Sequence, residues 1–163
     1  ICCYSNIISC VQNIYASFFC TFSSTFITKI GRSIIGDGAE IYGEVENSVI
    51  GPGVFIGKGA VVRDSIIMKE ASIGAGCVID RSIIAENVKV GENVVTNVGE
   101  DVPNKLKPKV YSFGLTTIGE DSVIPANVKI GKNTAISGET TPEDYPDGVL
   151  ESGETLIKEG DLA

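Results

Sequence analysis

The sequence predicts an all-β chain wound into a parallel β-helix, and three periodic features support this fold. Branched aliphatic residues recur at intervals of about six, small residues stand two places before them, and glycine, asparagine or aspartate commonly follows three places after. Three contiguous blocks of 17 residues carry the pattern, at 48–64, 65–81 and 82–98, and a shorter block at 33–47 precedes them. Because alternate residues of a strand share a face, each short rung presents one large and one small residue inward.

Three columns of residues follow from this spacing. The predicted inward aliphatic column consists of Ile50, Ile56, Val62, Ile67, Ile73, Ile79, Ile84, Val90, Thr96 (its weak member), Ile118, Ile124, Ile130 and Ile136. The predicted small column consists of Ser48, Val54, Ala60, Ser65, Ala71, Cys77, Ser82, Val88, Val94, Thr116, Ser122, Val128 and Thr134. The predicted turn residues, which tolerate positive φ, are Gly38, Gly53, Gly59, Gly76, Asn87, Asn93, Asp121, Asn127 and Asn133. Three rungs per coil make a triangular prism of about five coils, stacked about 4.8 Å apart by parallel pairing.

Two segments depart from the rhythm after the third full block. Residues 99–115 contain two prolines and three lysines, and they are predicted to loop out from one corner of the helix, which spans 33–137. Residues 138–163 are predicted to form an acidic C-terminal cap, within which 149–157 read as a small hairpin about Gly153. Repeat proteins need polar ends that block edge-to-edge pairing.

Residues 1–32 are predicted to be an atypical N-terminal segment. The first 27 residues contain neither a charge nor a glycine, yet Ser, Asn and Gln interrupt every apolar run well short of the ~18 residues of a membrane span. The segment also lacks the basic start of a signal peptide, so we interpret it as a remnant of a longer protein or as unreliable sequence. Four of the five cysteines fall here without C-x-x-C spacing: Cys2, Cys3, Cys10 and Cys20. The odd count argues against a disulfide framework and indicates a reducing, cytoplasmic compartment.

Composition narrows the chemistry that the chain can perform. Its net charge is −8 and it contains no histidine, so neither a nucleic-acid-binding basic stripe nor a histidine base or metal ligand is available. We therefore predict no catalytic, cofactor-binding or metal-binding residues. Cys77 is a formal candidate nucleophile, but its place in the small inward column favours a buried, inert thiol.

Two groups of residues are candidate binding sites. Lys105, Lys107 and Lys109 place three ammonium groups within five residues of the predicted loop, where they could bind a phosphorylated effector; a solvated loop is the alternative. Phe55 and Val61 are outward apolar residues without an obvious partner in the chain, and we predict that they contribute to a subunit interface.

Longer motifs carry a family resemblance. I-G-K-G-A at 56–60 is similar to the hexapeptide-repeat superfamily. G-E-V-E-N-S-V-I-G at 43–51 and the stretch 112–131 resemble the C-terminal β-helix domain of bacterial ADP-glucose pyrophosphorylase (glucose-1-phosphate adenylyltransferase). The ending E-D-Y-P-D-G-V-L-E-S-G-E-T-L-I is most similar to the D-type accessory subunit. The resemblance covers about 33–163, whereas 1–30 do not match the family's linker.

The resemblance implies a left-handed helix, since spacing alone does not fix the hand. It also implies a non-catalytic regulatory or assembly domain for glycogen biosynthesis, whose active site lies in a preceding α/β domain. The implied partner is a catalytic pyrophosphorylase subunit or a second copy, and the resemblance implies a tetramer. Acyltransferases and γ-class carbonic anhydrases of this superfamily use histidine, which disfavours both activities here. A stand-alone scaffold or a small-ligand-binding protein without catalysis remains the alternative.

Overall fold

The computed structural model describes residues 28–158. Most of the predicted N-terminal segment 1–32 and residues 159–163 therefore lie outside the described part of the chain. Nineteen strands and one 3₁₀ helix are present within it. Among the described residues, no helix is long and apolar enough to cross a membrane.

The strands, numbered along the chain, form three parallel sheets that we name faces A, B and C. Face A contains, in spatial order, β1 (Lys29–Gly31), β4 (Glu44–Glu46), β7 (Val61–Arg63), β10 (Val78–Asp80), β13 (Val95–Val98), β16 (Lys129–Gly131) and β18 (Val149–Leu150). Face B contains β2 (Ile34–Ile35), β5 (Val49–Ile50), β8 (Ile66–Ile67), β11 (Ser82–Ile84), β14 (Thr116–Ile118), β17 (Thr134–Ser137) and β19 (Thr155–Ile157). Face C contains β3 (Glu40–Ile41), β6 (Phe55–Ile56), β9 (Ser72–Ile73), β12 (Lys89–Val90) and β15 (Val123–Ile124).

From β1 to β14, each strand pairs in parallel with the third strand after it. The chain therefore winds once around the prism for each strand of face A. Ile50 pairs with Ile67 and Ile67 with Ile84, which reproduces the predicted period of 17 residues. Faces A and B have seven strands and face C has five, so five complete coils are followed by two without a face-C strand. The fold is the predicted parallel β-helix, and it agrees with the left-handed hexapeptide class.

The predicted inward columns are confirmed. Every member of the aliphatic column from Ile50 to Ile136 and of the small column from Ser48 to Thr134 is buried. Large and small side chains therefore alternate around a core too narrow for two large residues facing each other. All nine predicted turn residues have positive φ.

One corner contains positive-φ residues that the sequence pattern did not reveal. Between faces A and B the chain turns through Arg32, Asn47, Asp64 and Arg81, with φ between 44° and 50°. Side chains other than asparagine and aspartate are uncommon in this region of φ. The conformation is required because the chain turns between two β strands here with few residues to spare.

The glycines at the corner between faces C and A differ from the predicted turn residues. Gly57, Gly74 and Gly91 do not have positive φ. A Cβ on Gly57 would lie 2.7 Å from the backbone nitrogen of Ala75 in the next coil. Glycine is needed here because successive coils approach each other too closely for a side chain.

A column of serine hydroxyls joins the coils at the corner between faces A and B. The backbone N–H of Ser65 donates to Ser48 Oγ (3.2 Å), and the N–H of Ser82 donates to Ser65 Oγ (3.1 Å). Each hydroxyl in turn donates to the carbonyl two residues earlier, as Ser48 Oγ does to Glu46 O (2.7 Å). The serines are small enough for the core, and they satisfy backbone groups that would otherwise be buried without partners.

The insertion and the C-terminal end are more ordered than predicted. No strand forms in residues 99–115, which leave the helix between β13 and β14 as expected. Pairing then resumes with Ser82 opposite Thr116, 34 positions on and twice the usual 17. The predicted hairpin about Gly153 is wrong, because β18 and β19 pair in parallel with β16 and β17 on different faces. The helical pattern persists to Ile157 since inward residues such as Leu150 still reach the core.

A short helical turn covers the end of the prism where face C has no further strand. The 3₁₀ helix Pro142–Asp144 is capped by Thr141, whose backbone N–H donates to Asp144 Oδ2 (2.7 Å). Tyr145 follows and is buried against the core, with its hydroxyl 3.1 Å from Thr140 Oγ1. Burial raises the pKa of the Tyr145 phenol. The aromatic ring thus substitutes for the missing strand.

Candidate functional site

The described residues contain no cluster of side chains placed to hold a metal ion. Within 28–158 there is no group of three or more cysteine, aspartate or glutamate residues placed to hold a metal ion. The side chains that carry charge are spread along the corners and the outer surfaces of the faces.

Cys77 is a core residue. It is fully buried in the small column, and its Sγ donates to the carbonyl of Gly91 (3.0 Å). Burial raises the pKa of the Cys77 thiol, and hydrogen bonds from neighbouring backbone groups oppose that shift only in part. A buried thiol with a raised pKa stays protonated and is a poor nucleophile, as the sequence indicated.

The three lysines of the insertion occupy different surroundings. The Lys105 backbone N–H donates to the carbonyl of Gly153 (2.8 Å), and its ammonium pairs with Glu154 Oε1 (3.1 Å). Lys107 and Lys109 are exposed on the turn that follows. The three ammonium groups therefore do not form a single unpaired cluster. Binding of a phosphorylated effector to them remains a prediction.

Two buried asparagines hold the insertion against the last coils. Asn133 donates from Nδ2 to Asp101 Oδ1 (2.6 Å) and Val102 O (2.8 Å), and its Oδ1 accepts from the N–H of Gly114 (2.8 Å). Asn104 donates from Nδ2 to the carbonyl of Asn133 (2.8 Å). The insertion is thus fixed at both ends rather than protruding freely.

The same Asn104 also fastens the insertion to the final strand of face B. Its Nδ2 donates to Thr155 Oγ1 (2.9 Å), and its Oδ1 accepts from the N–H groups of Leu106 (3.0 Å) and Lys107 (2.8 Å). Sequence reasoning missed both asparagines, since Asn133 carried only a turn signal and Asn104 none. A shallow depression remains between the insertion and the last coil, lined by Lys105, Leu106, Leu150, Glu154, Thr155 and Leu156.

The two predicted interface residues lie on different faces. Phe55 is on β6 of face C and is 39% exposed, whereas Val61 is on β7 of face A and is half-buried. Phe55 does have a partner in the chain, because its ring packs against Tyr42 with centroids 5.7 Å apart. The expectation that it lacks one is therefore wrong. Contact of either residue with another subunit remains a prediction.

A row of exposed apolar residues runs along face B instead. We name Ile34, Val49, Ile66 and Ile83 the face-B ladder; successive members are paired in register on neighbouring strands. The exposed fractions of the first three are 62%, 41% and 43%, and Ile83 is half-buried. Each member is the middle residue of an S-I-I or S-V-I triplet, a sequence signal that the inward columns do not include.

Comparison with known proteins agrees with this architecture. Residues 17–118 match the family model described as GlmU-like, C-terminal hexapeptide. Proteins named glucose-1-phosphate adenylyltransferase are similar to the chain over most of its length. The protein from Lachnospira eligens is 54% identical over 160 residues, which cover 93% of this chain and 38% of the relative. The protein from Acetivibrio thermocellus is 43% identical over 133 residues, covering 82% and 31%. The protein from Thermotoga sp. strain RQ2 is 52% identical over 130 residues, covering 80% and 31%.

These matches define how far the similarity extends. The chain spans about a third of the length of the curated relatives it matches. Similarity begins upstream of Ser33, since the family model starts at residue 17, so the expected start near residue 33 is wrong. The uncharged, glycine-free composition of that stretch concealed the similarity. The chain belongs to the hexapeptide-repeat family of GlmU-like C-terminal domains and is homologous over most of its length to proteins named glucose-1-phosphate adenylyltransferase.

Proposed function

We propose that this chain is the non-catalytic assembly and regulatory domain of a glucose-1-phosphate adenylyltransferase subunit that serves glycogen biosynthesis in the cytoplasm. The observation that carries the proposal is the extent of the similarity. Three relatives with this name are 43–54% identical over 80–93% of the chain, while the chain spans only 31–38% of their length. The adenylyl transfer itself then belongs to the remaining two thirds of such a protein.

The character of the described residues supports a role in assembly. The interior is filled by aliphatic and small side chains, and its one described thiol is buried and protonated. What the helix offers to other molecules is its flat outer faces, stacked rigidly by parallel pairing along the whole described region. Rigid flat surfaces with exposed apolar residues are typical of interfaces.

A domain exchange tests this function. We would replace the matching C-terminal region of the Lachnospira eligens protein by this chain, and compare it with the same protein truncated before that region. We expect the chimera to form the parent's oligomer and to make ADP-glucose from ATP and glucose 1-phosphate, and the truncated protein to lose assembly. The chain alone is expected to make no ADP-glucose.

Native mass spectrometry of the chimera, and of this chain mixed with the intact relative, supplies the assembly readout. A Phe55→Asp variant measures whether the predicted face-C contact matters in the mixed oligomer. A chimera that folds but neither assembles nor acts would contradict the proposal. A chain that remains separate from the relative would leave a stand-alone scaffold as the better description.

A further inference from the structure

Face B is the one outer surface of the described helix whose outward row carries no charge. Its row continues the face-B ladder through Thr117, Ala135 and Thr155. The corresponding rows of the other faces are charged: face A has Lys29 and Glu44, and face C has Glu40 and Lys89. Covering an uncharged apolar strip removes more apolar area from water than covering either of the charged faces beside it, so the strip is the favoured site for an interface.

The charges on either side of the ladder follow a definite order. At the corner between faces A and B, coils one to three carry Arg32, Asn47 and Asp64, which are positive, neutral and negative. At the corner between faces B and C, the equivalent positions of the same coils carry Asp37, Pro52 and Lys69, which are negative, neutral and positive, and the exposed Glu70 lies next to Lys69. At these equivalent positions, each row reverses its sign about the second coil. Such a row is complementary to its own reversed copy.

The side chains at one edge of face B also change in size along the same three coils. The residue after each inward aliphatic is Gly36 in coil one, Gly51 in coil two and Met68 in coil three. Met68 is 40% exposed, whereas Gly36 has no side chain. Reversal about coil two therefore places a long side chain opposite a glycine.

We propose that face B binds a second copy of this chain, with the two helices antiparallel and a twofold axis at Val49. Ile34 of one copy packs against Ile66 of the other, and the two Val49 side chains meet on the axis. Arg32 then faces Asp64 of the second copy, and Asp37 faces its Lys69, so each ionic contact occurs twice. This interface specifies the assembly role proposed above.

The insertion decides between the antiparallel pairing and a parallel one. Asn104 and Lys105 bind Thr155 and Glu154, so the insertion stands beside the last strand of face B. In a parallel pairing, the insertions of both copies would meet at the same level and hold the faces apart. In the antiparallel pairing they lie at opposite ends, beyond the three coils that overlap.

Groups that already have partners remain available for the ionic contacts. Arg32 pairs with Glu46 (3.1 Å) and Lys69 with Glu86 (3.2 Å), but more than half of each basic side chain is exposed. Arginine has five N–H donors and the lysine ammonium has three, so each can serve a second carboxylate. Exposed charge pairs contribute little energy, so their effect is chiefly on orientation.

Sedimentation equilibrium of the full chain, under reducing conditions, measures the dimer. Three coils extend roughly 15 Å along the axis, which is small for an interface, so we expect a dissociation constant of about 10–100 μM. Val49→Asp places two carboxylates together on the axis and should weaken the dimer by about tenfold or more. Val78→Asp is the matched control, because Val78 is an exposed valine at 36% on face A and should leave association unchanged.

Charge reversal tests the orientation. Arg32→Glu and Asp64→Arg should each weaken the dimer, and the double variant should restore it to within about threefold, because the pair is re-formed with opposite sign. In a parallel pairing, Arg32 would face Asp37 and Asp64 would face Lys69, so the double variant would be the weakest. Circular dichroism confirms that each variant is folded.

Three results would each overturn the proposal. The first is a wild-type chain that is monomeric at several hundred micromolar, and the second is equal weakening of the dimer by Val49→Asp and Val78→Asp. The third is a double variant that dimerises more weakly than both single variants. These results are separate from the domain exchange. An active, assembled chimera whose oligomer is unaffected by Val49→Asp would refute the face-B interface alone, whereas an inactive, unassembled chimera beside a dimeric chain would refute the proposed function alone.

Discussion

Gly57→Ala is a direct test of the close approach between coils. The added Cβ would lie 2.7 Å from the nitrogen of Ala75 and 2.8 Å from the carbonyl carbon of Gly74, both backbone atoms of the next coil. Ordinary contact begins near 3.4 Å, so the coils must separate locally by about 0.7 Å. The hydrogen bond from the Gly57 N–H to the carbonyl of Ile73, at 2.8 Å, lies at this point and would lengthen.

The expected loss of stability follows from the close contacts and the lengthened hydrogen bond. Overpacking costs about 1–3 kcal/mol, and a weakened hydrogen bond adds about 0.5–1.5 kcal/mol. The lower entropy of the unfolded alanine chain offsets about 0.4–1 kcal/mol. We expect Gly57→Ala to reduce the free energy of unfolding by about 2 kcal/mol, which corresponds to a fall of about 4–8 °C in Tm for a chain of this size.

Gly119→Ala is the matched control for this prediction. Gly119 also lacks positive φ and also follows an inward isoleucine, but the nearest atom to its added Cβ is 3.0 Å away and the others are at 3.2 and 3.6 Å. Its effect should stay below about 1 kcal/mol. Urea and thermal unfolding followed by far-UV circular dichroism measure both variants. Equal stabilities for the two would show that inter-coil approach is not the reason for glycine at position 57.

Four further predictions concern the thiol and the insertion. Because burial raises the pKa of Cys77 above that of the unfolded thiol, the folded state retains a proton that the unfolded state loses. The free energy of unfolding should therefore fall as the pH rises above about 8.5. Cys77→Ala should reduce that pH dependence, as measured by urea unfolding at alkaline pH. Cys77→Leu should cost about 1–3 kcal/mol by overpacking, and rapid labelling of the native thiol would contradict the buried position. Asn133→Ala removes the partner of two backbone groups of the insertion, the Gly114 N–H and the Val102 carbonyl, so trypsin should cut after Lys105 and Lys109 much faster, with mass spectrometry locating the cuts. If a phosphorylated effector binds there, Lys107→Ala with Lys109→Ala should abolish binding of inorganic phosphate in calorimetry, and unchanged phosphate binding would contradict a site at these lysines.

The repeating part of the fold was predictable because each rung uses the same local rule. Residues such as Ile67 and Ser65 differ in size and stand two places apart, and that pattern has only one arrangement that buries both. Turn residues such as Asn87 were predictable for a similar reason, since their type matches the backbone conformation. Periodicity thus predicted strands, register and core together.

What the sequence did not predict depends on contacts between distant residues. The roles of Asn104 and Asn133 arise from hydrogen bonds to segments up to 51 positions away, and neither residue differs locally from a loop asparagine. The hairpin prediction failed at Gly153 because a turn signal does not reveal which strands will pair afterwards. Phe55 was assigned no partner because Tyr42 lies 13 positions earlier, at the edge of the preceding coil.

The length of the insertion sets the register of every strand that follows it. Residues 99–115 number 17, the same as one coil, and pairing resumes at Thr116 opposite Ser82 as though a whole turn had been withdrawn from the stack. Downstream strands therefore keep the phase of the upstream repeat, because the inserted length equals one coil. The corner after β13 is a junction at which the chain leaves the stack and returns to it without a change of register.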